Sequence, residues 1–274
     1  MSATRVPPWW QSAVRIYAMV CRYTYLQRRS LPRNLNIIFW PVMELLVWGY
    51  VTRYLQRAAE PLAGVIIFLI GAMIFWDLLY RSQQAVSLGI MEDVWTRNLI
   101  NTLITPLRLW EWMASTFLYG LIKGIVVTVL LAVLAYCLYD FELLRYGWWL
   151  GWFALELFWF GWAVGVMTAG LLLRYGYAAE ALIWGIPFLI QPFSAVFYPV
   201  EVLPAWGRAL AAIFPSTYVF EGMRRILTQH ALDLRLLFMS TLLNLVYALL
   251  GVLTFRALYA SSRASGRLAR IGTE

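Results

Sequence analysis

The sequence predicts an all-α integral membrane protein with six transmembrane helices. An N-terminal interfacial helix, a short amphipathic helix between spans two and three, and a bent outer re-entrant hairpin after span five complete the fold. Hydrophobic residues make up 62% of the 274 and charged ones only 13%, with mean hydropathy +0.68, which is far from a soluble profile. Windows at 35–54, 62–80, 113–138, 147–173, 178–198 and 234–258 each approach or exceed the ~20 apolar residues a span needs. The stretch 193–206 then follows a membrane-length run yet holds Pro199, Pro204, Glu201 and an aromatic cluster. Non-helical backbone near a bilayer is tolerated only where protein or a water-filled cavity satisfies it.

Residues 1–34 precede the first span. Trp10, Val14, Tyr17, Cys21 and Tyr25 recur at helical spacing, with Arg15, Arg22 and Arg29 on a flank. That pattern predicts a helix in the membrane surface, apolar side down and cations toward anionic lipid. The first residues lack a compact apolar core followed by a small-residue cleavage site, so no removable leader is expected. In the fifth window Pro187 and Pro192 each remove a backbone donor, so a kink and hinge are expected there. The basic residues lie along span edges rather than on one soluble face, which argues against nucleic acid as a partner. With the N-terminus inside, fourteen arginines fall on cytoplasmic segments and seven on outer ones, placing both termini in the cytoplasm. Residues 259–274 form a basic cytoplasmic tail. The 15 tryptophans fit interfacial belts.

The connection after span two predicts a helix over about 91–106. Met91, Trp95, Leu99 and Leu103 form an i, i+4 stripe, Glu92 and Asp93 sit where the helix dipole favours acids, and Pro106 stops it. It could rest on lipid, or plug into a soluble partner's groove with Arg97, Asn98 and Asn101 as polar contacts. Inside the spans, Glu44, Lys123 and Glu156 fall near the midplane. Pairing Lys123 with Glu44 or Glu156 would offset part of their burial cost, and the alternative is that they line a substrate or proton path. His230, near Asp233, is the one histidine and cannot anchor a multi-histidine metal site. Cys21 and Cys137 build neither a disulfide framework nor a thiolate site. Glu221 and Arg224, three apart on an expected outer helix of the hairpin at about 196–231, suit a local ion pair.

The motif Ile104-Thr105-Pro106-Leu107-Arg108-Leu109-Trp110-Glu111 resembles, in order with a second, the type-2 ABC exporter permeases. That second motif is Tyr198-Pro199-Val200-Glu201-Val202-Leu203-Pro204-Ala205-Trp206, continuing through Phe214-Pro215-Ser216-Thr217-Tyr218 and Glu221-Gly222-Met223-Arg224. The resemblance covers nearly the whole chain and implies a type V ABC exporter-like fold with a six-span domain over 35–258. Trp95-Thr96-Arg97-Asn98 departs from the family's Gly-Thr-Leu-Glu-like run, and Ala195 stands where a glycine is usual.

The resemblance implies a half-transporter: a second permease copy, as a homodimer in the bacterial inner membrane, and a separate ABC ATPase that holds ATP and Mg²⁺. Glu92, Asp93, Trp95, Arg97, Asn98, Asn101 and Pro106 would then belong to the coupling helix seated in the ATPase. Pro187, Pro192, Pro199, Pro204, Trp206, Pro215, Glu221 and Arg224 would belong to the hinge and outer gate. No cofactor is expected in this chain: a Walker A loop needs glycine then lysine, and Lys123 follows Ile122. The expected function is therefore export of an amphipathic or lipid-linked substrate (glycan, lipid or drug) by a non-enzymatic transport subunit among membrane lipids. The alternatives are a proton-coupled secondary transporter, for which the midplane carboxylates speak, and a lipid-modifying membrane enzyme using Glu44, Glu156, Asp77 or His230.

Overall fold

Apolar periodicity over nearly the whole chain leaves helices as the way to satisfy the backbone in lipid. The computed structural model describes residues 8–58, 63–143, 147–229 and 231–266, and among them it is helical, with no strand. In order come α1 (Pro8–Arg28), α2 (Leu31–Ala58), α3 (Ala63–Trp95), α4 (Leu99–Leu103) and α5 (Leu109–Tyr139). They are followed by α6 (Trp149–Tyr175), α7 (Ala181–Ile190), α8 (Ala205–Ala211), α9 (Pro215–Gln229) and α10 (Leu234–Ala264). His230 lies outside the described residues.

α3 and α6 form the centre, and the reason is written in α6. Gly161 and Gly165, four apart, share one face, so the α6 backbone comes against that of α3. A Cβ on Gly161 would stand 2.2 Å from the Leu79 carbonyl oxygen, and one on Gly165 2.7 Å from that of Gln83. α10 approaches the opposite side of α6 through Gly251, whose Cβ would lie 3.0 Å from the Ala163 oxygen. At one end of this bundle Phe68, Phe153, Phe160, Phe220 and Met223 join α3, α6 and α9 in a buried cluster; at the other, Met91, Val94, Leu99, Trp112, Leu172 and Phe255 do the same around α4. α2, α5 and α10 turn apolar residues outward, as lipid-facing helices do: Trp40, Tyr54, Val126, Val133, Phe238 and Leu249 are all more than half exposed.

Among the described residues four helices are long and apolar enough to cross a membrane: Arg33–Leu55, Leu109–Tyr139, Trp149–Ala179 and Leu234–Ala264. Two expected spans differ. α3 does not end near Tyr80 but runs 33 residues, ~50 Å, because its later turns bury polar side chains against protein rather than lipid. Asp77, Arg81, Ser82, Gln83 and Gln84 are all buried. The fifth window yields only the 13-residue apolar helix Ala181–Phe193, ~20 Å, short of a ~30 Å hydrocarbon core. Pro192 tightens its end into a 3₁₀ turn, and Ala195 then takes a left-handed conformation (φ 53°).

α1 keeps its outward aromatic stripe: Trp10, Val14, Tyr17 and Tyr25 are exposed. Its cations, however, do not all point to lipid. Arg15 and Arg22 turn inward to carboxylates on α5 and α3 that would otherwise be buried without a counter-charge.

Candidate functional site

Around α4 the expected single helix at 91–106 is two pieces. α3 ends at Trp95, Thr96 Oγ1 donates back to the Glu92 carbonyl (2.8 Å), and Arg97 goes left-handed at φ 54°. The Asn98 N–H then closes onto the Asp93 carbonyl at 2.8 Å, an αL helix stop. The stripe is therefore broken: Met91 and Leu99 are buried, whereas Trp95 is exposed. Pro106 does not itself stop α4, which ends at Leu103, three residues earlier.

The named contact residues divide accordingly. Asp93 is buried and pairs with Arg22, and Glu92 pairs with Arg33, so both acids are engaged within the chain. Burial pushes the Glu92 carboxyl up and Arg33 holds it down, with the upward push larger. Arg97, Asn101, Ile104, Thr105 and Pro106 face outward, Ile104 at 75% exposure, and Asn101 donates to half-buried Asn98 (3.0 Å).

α1 is bolted to this end. Fully buried Glu111 accepts from Ser12 Oγ (2.7 Å), from Arg15 (3.2 Å) and from the Arg108 N–H (2.8 Å), so one carboxylate caps α5 and anchors α1. Trp112 Nε1 donates to the Tyr23 hydroxyl at 3.0 Å. Glu111, the last residue of the first motif, stands three residues after Arg108 at the start of α5, the position from which an acid closes a capping box.

The midplane charges are not paired as expected. Glu156 faces α10, where Thr241 Oγ1 (2.5 Å), Asn244 Nδ2 and, from its own helix, Trp152 Nε1 (3.1 Å) donate to it; its partners are neutral donors rather than Lys123. Neither Glu44 nor Lys123 joins an ion pair among the described residues. The buried pair is Asp77 with Arg81 instead, 2.7 Å through Nε, one turn apart on α3. Pairing on the same helix is geometrically secure, since i and i+4 stand one above the other. A lone charge at such depth costs about 2.5–3.5 kcal/mol on insertion scales.

The hairpin after α7 is cross-braced. Glu221 accepts from the Val200 N–H (2.9 Å) and from Arg224 (2.6 Å), and Arg224 also reaches the Ala195 carbonyl (3.0 Å). The expected local ion pair thus exists, and it also ties both limbs together. Ser194 and Ser216 hydroxyls meet at 2.7 Å, and Thr217 Oγ1 donates to the Phe193 carbonyl at 2.9 Å. The prolines start segments: Pro199 precedes a 3₁₀ turn (Val200–Val202), Pro204 precedes α8 and Pro215 opens α9. Pro187 lies inside α7, while Trp206 is 64% exposed, its ring edge-on to Phe193. Asp233 caps α10 through the Arg235 N–H (2.9 Å) and pairs with Arg225. Among the described residues no cluster of three or more His, Cys, Asp or Glu is placed to hold a metal.

Comparison with known proteins adds a family to this geometry. None of the curated proteins compared with the chain matches it. The family described as ABC-2 type transporter matches residues 15–228, from the inward face of α1 to the end of α9 and so across the α4 end, the central helices and the braced hairpin. The chain therefore belongs to the ABC-2 type transporter family, as a multi-pass membrane permease, the transport component of an ABC transporter, of the kind that works with an ABC ATPase.

Proposed function

We propose that the chain is the permease half of an ATP-driven exporter, moving an amphipathic or lipid-linked substrate outward, with α4 as the seat of its ATPase. The observation that carries this reading is the attachment of α4. A short segment with outward Arg97, Asn101, Ile104 and Thr105 continues α3, the central helix, and the residue that closes α3, Asp93, is bolted to α1. Force applied to α4 has a stiff route into the bundle.

In this reading the α4 end and both termini face the cytoplasm of a bacterium, two copies enclose the pathway, and ATP with Mg²⁺ is held by the partner. The short α7 with Pro187 and Pro192 supplies the hinge, and Pro199, Pro204, Trp206, Pro215 and the Glu221–Arg224 brace the outer gate. ATP can shift the equilibrium only by binding the closed ATPase pair better than the open one. The test is co-expression with the ABC ATPases of its own genome. One ATPase should copurify with the chain, and Ile104→Asp should abolish its capture while leaving the thermal midpoint of the permease unchanged. Substrate movement by the purified permease with no ATPase present would overturn the reading.

A further inference from the structure

A cavity of about 200 Å³ opens between α2, α3 and α5, with residues of α1 and Trp184 of α7 also in its lining. Three cations line it, Arg33, Arg81 and Lys123, against one carboxylate, Glu92. Glu92 is already held by Arg33. Arg81 engages Asp77 through Nε only, and its terminal nitrogens take no hydrogen bond among the described residues. Lys123 forms neither hydrogen bond nor ion pair among them, and Glu44 stands outside the lining. The lining itself thus carries more cations than carboxylates, with Asp77 and Glu44, which interact with Arg81, standing behind it rather than facing the cavity.

The two under-used cations share a depth. Arg81 lies fourteen residues before Trp95 at the end of α3, and Lys123 fourteen after Leu109 at the start of α5, so each is ~21 Å into the bundle from the α4 end. A guanidinium and an ammonium facing one cavity suit a phosphate, which offers several charged acceptors and accepts both a forked and a point donor. Trp95 and Trp184, both in the lining and partly exposed, offer apolar surface beside the charge, as an amphipath needs.

We propose that this cavity binds the phosphate-bearing headgroup of an anionic amphipath, with Lys123 and Arg81 as the anion contacts. The proposal deepens the exporter reading and rests on it for the ligand's destination, though binding itself is measurable without the ATPase. The full chain in phosphatidylcholine nanodiscs is titrated with phosphatidic acid, with diacylglycerol as the neutral counterpart and glycerol phosphate as the soluble one. Phosphatidic acid should bind at least about tenfold more tightly than diacylglycerol, and Lys123→Met should lose about tenfold of that, the scale of one charge-assisted hydrogen bond. Lys123→Arg should retain binding and Arg256→Gln, on the exposed side of α10, should not change it.

The double variant Asp77→Asn with Arg81→Gln removes the buried pair as a unit and gives a second reading should Lys123→Met fold poorly; it too should lose binding. Competition by glycerol phosphate at concentrations comparable to phosphatidic acid would support the phosphate chemistry and assign it to a soluble ligand. Equal binding of phosphatidic acid and diacylglycerol, or wild-type binding by both variants, would overturn the site. Overturning it with ATPase capture through α4 intact would leave the permease reading standing.

Discussion

Replacing Gly161 by alanine puts one methyl group where the two central helices touch. The new Cβ would lie 2.2 Å from the Leu79 carbonyl oxygen and 3.0 Å from both the Leu79 carbonyl carbon and Ser82 Cβ. That oxygen belongs to the α3 backbone and cannot swing aside as a side chain could. Restoring an ordinary 3.4 Å contact means parting α3 and α6 locally by 1.2 Å, which also stretches the Ser82 Oγ bond to the Phe158 carbonyl (2.6 Å). Overpacking of this kind costs about 1–3 kcal/mol, and a backbone obstacle places it at the upper end. Better helix propensity of alanine returns about 1 kcal/mol. The net loss is about 1–2 kcal/mol, roughly 5–30-fold in the folded ratio. Thermal midpoints followed by tryptophan fluorescence in detergent give the test. Gly161→Ala should fall furthest, Gly165→Ala (2.7 Å from the Gln83 oxygen) less, and Gly185→Ala, with nothing within 4 Å, should hold or rise. If Gly161→Ala melts together with Gly185→Ala, the two helices are not in contact there.

Other outcomes are expected from single contacts. Arg22→Gln leaves the carboxylate of Asp93 buried without its cation and should cost about 2–3 kcal/mol, below the ~3–5 of a fully buried pair because Arg22 is 27% exposed; Asp93→Asn in the same chain should recover most of the lost melting temperature. Ala195→Gly removes a left-handed alanine and should raise the melting midpoint by the equivalent of about 1 kcal/mol, whereas a fall would mean that the φ of 53° is not strained. Glu111→Ala strips the cap of α5 and the anchor of α1 together, so limited proteolysis should begin cutting within α1, at Arg15 or Arg22; unchanged protection would refute the anchoring role.

What the sequence made legible is what depends on near neighbours. Hydropathy and period located α2, α5, α6 and α10 closely, and the three-residue spacing of Glu221 and Arg224 foretold their pairing. The Gly161 and Gly165 spacing and the capping position of the acid at 111 were equally local signals that went unread. Long-range partners were not legible: Arg22 meets Asp93 across 71 positions and Ser12 meets Glu111 across 99, and nothing in either segment names the other. The midplane pairing failed for the same reason, because depth says how far a residue sits along a helix and not which neighbour it faces. The fifth span was read too long, since the apolar window runs on past Pro192, where the helix tightens into a 3₁₀ turn, while Pro187 is carried inside it. Ala195 shows the reverse case: the glycine the family resemblance led one to expect is absent, yet the backbone still takes the conformation a glycine would favour.

The most direct test of α4 as the docking point uses a single reporter cysteine. With Cys21 and Cys137 replaced by serine, Asn101→Cys on α4 and Val202→Cys on the hairpin at the other end are each exposed to a thiol-to-amine crosslinker alongside the copurified ATPase. Crosslinks to the ATPase from position 101 and none from 202 are expected. Crosslinks from 202, or none from 101 while the ATPase remains bound, would contradict the assignment of α4 as the ATPase seat.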